Sequence, residues 1–124
     1  METLTRQNDY RSTEKKPSIA ARISPALTFY SKIAAIVWNA ARLAKRGKYH
    51  GEEWVHSSYT IAKALESIGA RIHIENTDAF RKLRETCVFI GNHMSTLETF
   101  VLPGLIRPYR KVTFIVKQLS LIHI

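Results

Sequence analysis

The stretch Cys87-Val88-Phe89-Ile90-Gly91-Asn92-His93-Met94-Ser95-Thr96-Leu97-Glu98 constrains this chain more than any other. A short apolar run ends at a glycine, an Asn-His pair follows at once, and a carboxylate stands five residues after the histidine. The run over 86–90 predicts a buried strand. Ser95-Thr96-Leu97-Glu98 has the form of a capping box, which predicts a helix start just downstream. Open α/β sheets hold their ligands in the crevice beyond the carboxyl ends of their strands. The pattern therefore makes His93 a candidate general base and Glu98 its orienting partner.

The flanking pattern extends this expectation. Arg71-Ile72-His73-Ile74-Glu75 alternates like a strand with one polar face, and Asn76-Thr77-Asp78 caps a short helix through Leu83. A helix over 95–102 is expected to stop at Pro103-Gly104, and Lys111 to Val116 reads as a further strand. Strand, helix, strand, helix, strand is the order of a parallel α/β sheet.

The chain before this block has a different character. Of its 19 Lys and Arg, 10 fall in residues 1–50 against 3 acidic residues, whereas residues 51–124 hold 9 against 7. Residues 1–18 form a polar segment expected to be a flexible tail, without the apolar core of a secretory signal. Ser24-Pro25 supplies an N-cap and a first-turn proline for a helix over 25–46. Phe29, Tyr30, Ile33, Ile36, Val37, Ala40, Leu43 and Ala44 recur at helical spacing, opposite Thr28, Lys32, Asn39, Arg42 and Arg46. The apolar run is far shorter than the roughly 20 residues a bilayer span needs. Residues 19–50 are thus expected to lie in a membrane interface or to pack on the protein's own core, and one helix can do both. A second helix is expected over 52–68, ended by Gly69.

Several chemistries are disfavoured. Cys87 is the single cysteine, so neither an internal disulfide nor a cysteine zinc cluster can form. No second histidine stands at helical ligand spacing from His93. No nucleophile elbow or phosphate-binding glycine loop occurs. His73 also has a carboxylate five residues on, Asp78, but its strand context reads as a surface imidazole beside a helix cap. Glu98 retains the alternative of serving only its capping box. Residues five apart on a continuous helix diverge by about 140°, so pairing requires His93 to precede the helix. A His-carboxylate pair without an enzyme nucleophile suits proton removal from a substrate hydroxyl. Nucleic-acid binding ranks low, because the basic residues share a helix with a broad apolar face and no reader motif accompanies them.

Val88 through Glu98, with Pro103 and Phe114-Ile115-Val116-Lys117, resembles the glycerolipid acyltransferases, most closely the 1-acylglycerol-3-phosphate acyltransferase group. The family's first motif is Asn-His, four residues, then Asp; here the acidic position is Glu98. The resemblance covers roughly residues 52–118. It implies that His93 deprotonates the free hydroxyl of lysophosphatidate, with Glu98 orienting the ring and Asn92 and Lys117 binding substrate. The oxygen then attacks the thioester of acyl-CoA or acyl carrier protein, giving phosphatidate at the cytoplasmic face of the cell membrane. No metal or other cofactor is implied. The family's later arginine-bearing blocks are not among these 124 residues. The expectation is therefore the N-terminal part of a glycerolipid-acyltransferase-like αβ fold, with residues 51–124 as the first half of its domain. Amphipathic helices would lead into a parallel sheet cut off after about three strands. Alone, such a piece is expected to be inactive and, with an unpaired sheet edge, poorly soluble. The alternative is a non-catalytic peripheral membrane-binding module that uses the basic amphipathic helix.

Overall fold

The structure, a computed structural model, describes residues 9–13, 16–92 and 97–113. It is built on helices. In chain order the elements are β1 (Tyr10–Arg11), α1 (Ile19–Ile23), α2 (Pro25–Lys45), α3 (Gly51–Ser67), β2 (His73–Ile74), α4 (Asp78–Arg81) and α5 (Leu97–Ile106).

The two long helices form where local signals place them. The Ser24 side chain accepts a hydrogen bond from the Leu27 N–H and Pro25 occupies the first turn, so α2 starts at its expected cap. One feature is added upstream. Ser18 caps the short α1 through the Ala21 N–H, and extended backbone at Ser24 separates α1 from α2. At its other end α2 closes with Gly47 at φ 65. The Gly47 N–H reaches the Ala44 carbonyl and the Lys48 N–H the Leu43 carbonyl. Gly69, at φ 97, closes α3 in the same way: its N–H reaches the Glu66 carbonyl and the Ala70 N–H the Leu65 carbonyl. Both are Schellman motifs, in which a residue of positive φ turns the chain back over the helix end.

Helix α3 is the centre of the packing, with α5 against one side and α2 against another. Its Val55, Ser58, Ile61, Ala62 and Ala64 are buried, together with Ala21 of α1 and Pro103, Gly104 and Ile106 of α5. Small side chains dominate this list, which lets the helix backbones approach closely.

The expected parallel-sheet α/β core is not found. The described strands are two residues each and pair antiparallel, Tyr10 opposite Ile74 and Arg11 opposite His73. Thr86 to Ile90 is irregular, with Val88 83% and Ile90 94% exposed. A parallel strand needs cover on both faces, and on this run Val88 and Ile90 stand open to solvent. Cys87 in the same run is half-buried. Residues 111–113 form no strand either, and 114–116 lie outside the described residues. Pro103-Gly104 does not stop α5 but lies inside it, buried. Proline removes one helical donor, the link back to Thr99, and burial of this face beside α3 outweighs that loss. With no parallel sheet among the described residues, the argument for an aggregating sheet edge loses its basis.

Tyr10–Arg11 belongs to the segment expected to lack fixed structure. It is tied down through side chains. The Tyr10 hydroxyl and the Ser12 hydroxyl both donate to Oε1 of Glu66, the latter at 2.6 Å, and Lys63 Nζ lies 2.8 Å from Oε2. Ser12 also accepts from the Ile72 N–H at 2.8 Å, and its own N–H donates to the Ile72 carbonyl at 2.9 Å.

Candidate functional site

Of the residues expected to serve acyl transfer, Asn92 and Glu98 lie among the described residues. Gly91 and Asn92 lie on an exposed irregular segment. Glu98 sits in the first turn of α5, partly buried, where its carboxylate faces the favourable positive end of the helix. The described helix begins at Leu97. His93 lies outside the described residues, as do Ser95, the expected cap, and Lys117. Asn92 and Glu98 flank the histidine in sequence, and the expected pairing of His93 with Glu98 lies outside the described residues. His73 is an exposed imidazole, as its context suggested, with Nε2 2.7 Å from Glu75 Oε1. Asp78 opens α4 and pairs with Lys82 at 3.2 Å.

The second candidate surface is the outer face of α1 and α2. Helix α2 is apolar around well over half its circumference, but α3 covers only part of that arc. Phe29, Ile33, Ile36, Ala40 and Leu43 are half-buried. Leu27, Tyr30, Val37 and Trp38 follow one another at helical spacing with exposures of 71%, 68%, 46% and 76%. Ile19 and Ile23 on α1 are 78% and 81% exposed. Large apolar side chains in one row, rather than scattered singly, mark an interaction surface. Arg42, Lys45, Arg46 and Lys48 gather at the C-terminal end of the same helix, where they also offset its dipole. No described helix is long and apolar enough to cross a membrane.

A cavity of about 370 Å³ lies between the N-terminus of α3 and the end of α5, bounded by Tyr49, His50, Gly51, Trp54, Arg107 and Lys111 among others. No sequence pattern points to it, because its two halves are brought together only by the packing of α5 on α3. Among the described residues no cluster of His, Cys, Asp or Glu suits a metal ion.

Comparison with protein-family models, with curated proteins and with solved structures gives no match.

Proposed function

We propose that this chain serves acyl transfer to lysophosphatidate at a membrane surface. In this reading His93 takes the proton from the acceptor hydroxyl, Glu98 orients the imidazole, and Asn92 and Lys117 contribute to substrate binding. The hydroxyl oxygen attacks the acyl thioester carbonyl of acyl-CoA or acyl carrier protein, the thiol leaves, and phosphatidate forms. The Asn92-His93 to Glu98 block carries the reading, supported by the position of Glu98 in the first turn of α5. The exposed apolar row of α1 and α2 supports the membrane setting, because a lipid acceptor is presented at an interface, here the cytoplasmic face of the cell membrane. The test is acyl transfer from acyl-CoA to lysophosphatidate by the protein that the gene carrying this chain encodes, wild type against His93→Ala. Loss of a general base costs on the order of 10²–10⁴ in rate. Equal turnover in folded wild type and variant would sink the assignment.

A second reading, attachment to the membrane without chemistry, is favoured by the same exposed row, which does not depend on His93. It predicts that the 124-residue chain sediments with vesicles containing anionic lipid. The double change Leu27→Gln, Trp38→Gln should weaken that binding at least about tenfold, since each large apolar side chain withdrawn from the interface costs about 1.5–3 kcal/mol. Binding that survives the double change would remove the helix from the account. Vesicle binding with no acyl transfer from the gene's product would put this reading first.

A further inference from the structure

The cavity between α3 and α5 has a charge balance of its own. Arg107 and Lys111 both line it, and among the described residues no carboxylate does. Among the described residues neither cation is ion-paired. The Arg107 guanidinium lies directly over the first residue of α3: a Cβ built on Gly51 would sit 2.5 Å from Nη2 and 2.6 Å from Nε. That is the positive end of a helix, the end at which a cation is unfavourable and an anion favourable. Glu52 and Glu53 stand in the same turn, and Glu53 accepts the His50 N–H at 3.1 Å in a capping box, but neither carboxylate lines the cavity. A permanent guanidinium, a lysine and the N-terminal end of α3 thus meet at one space, walled by Tyr49 and Trp54. Its volume falls in the range of small-molecule sites.

We infer that this cavity binds a phosphate group, held between the Arg107 guanidinium, Lys111 and the N-terminus of α3. Arginine presents a planar fork matched to two phosphate oxygens, and lysine adds a point charge. A free phosphorylated small molecule and a phospholipid headgroup offer the same chemistry. The inference stands independently of acyl transfer, and its test reads binding alone.

The full chain carrying Trp38→Phe retains Trp54, at the cavity wall, as its one tryptophan. Its fluorescence is followed against inorganic phosphate, glycerol 3-phosphate, and vesicles of phosphatidylcholine with or without phosphatidate, with chloride matched for ionic strength. A saturable change with phosphate or glycerol 3-phosphate identifies a soluble ligand; one seen only with phosphatidate vesicles identifies a headgroup. Either response must fall at least tenfold in Arg107→Gln and be unaltered in Arg84→Gln, which removes the same charge elsewhere. Gly51→Ala supplies a second variant that retains the helix start: its Cβ displaces the guanidinium, so binding should fall while helix content is unchanged. A response to chloride alone, no saturable response to any phosphate probe, or equal binding by Arg107→Gln and Gly51→Ala overturns the inference.

Discussion

Tyr10 donates its phenolic hydrogen to the Glu66 carboxylate across 56 residues of sequence, and this bond holds the N-terminal strand against α3. Glu66 also accepts from Ser12 and pairs with Lys63, so one carboxylate gathers three donors from two elements. Its side chain is only 11% exposed, whereas that of Lys63 is 42% exposed. Glu66→Gln should therefore cost about 1–3 kcal/mol, the range for losing hydrogen bonds to a buried charge. Lys63→Met should cost about 0.2–1 kcal/mol, because its ion pair is largely screened by solvent. Urea unfolding measures both. Hydrogen exchange at the Ser12 and Ile72 amides should accelerate in Glu66→Gln, since those amides bridge β1 to the segment before β2.

The same cluster sets a pH dependence. Burial alone would raise the Glu66 carboxyl, but hydrogen bonds from Lys63, Ser12 and Tyr10 outweigh it and hold the group below its ordinary 4.5. A depressed carboxyl means that the unfolded chain binds more protons through this interval, so stability rises with pH. The contribution is present above 4.5 and is lost as pH falls through the folded value. On the alkaline side, burial and the Glu66 bond raise the Tyr10 phenol above 10.0. For Lys63, burial acts downward, but the bonds to Glu66 and Tyr10 prevail and raise it above 10.5. Here the folded chain binds more protons, so stability falls as pH rises past the ordinary values and through the folded ones. Docking of β1 should be flat between 4.5 and 10.0 and weaken beyond each end, with Glu66→Gln removing the acidic limb. Chemical denaturation across pH gives the profile.

Ser58 is 1% exposed, and its hydroxyl has no hydrogen-bond partner among the described residues. A buried hydroxyl without a partner costs about 1–3 kcal/mol relative to an apolar group of similar size. Ser58→Ala should accordingly raise the unfolding free energy, by about 1 kcal/mol once the small packing loss is included. A lower Tm for Ser58→Ala would mean that the hydroxyl is hydrogen-bonded in solution.

What could be read from the sequence was what is decided locally. The start of α2 follows from Ser24-Pro25, and the ends of α2 and α3 follow from Gly47 and Gly69, because caps and Schellman turns involve neighbours in sequence. The Cys87–Ile90 run misled because length and apolarity do not separate a buried strand from an uncovered segment. Its environment is set by what packs on it, and here Val88 and Ile90 face outward. β1 was illegible for the opposite reason: polar in sequence, it is ordered by contacts to Glu66 from far along the chain. Pro103-Gly104 reads as a stop under local rules, yet its burial at the α5–α3 interface keeps it helical. Of the candidate residues, Glu98 fell in the expected first turn of α5, whereas the Arg107 cavity required two helices to meet before it existed.

The two helix-ending glycines should respond differently to the same substitutions. Gly47 has φ 65, inside the left-handed region that L-residues visit at a cost, and a Cβ there meets nothing within 4 Å. Gly69 has φ 97, outside that region, and a Cβ there would come no closer than 4.0 Å, to Cγ of Pro17. Space is thus available at both sites, and backbone conformation alone decides the outcome. Alanine should cost about 1–2 kcal/mol at Gly47 and more at Gly69, where φ lies further from any allowed well. Asparagine separates the two causes. Its side chain hydrogen-bonds locally and it tolerates the left-handed well, as Asn76 does in this chain at φ 60. Gly47→Asn should recover most of the loss seen in Gly47→Ala, whereas Gly69→Asn should recover little. Thermal unfolding of the four variants gives the comparison, and equal recovery at both positions would show that Gly69 relaxes into the ordinary left-handed turn rather than holding its φ.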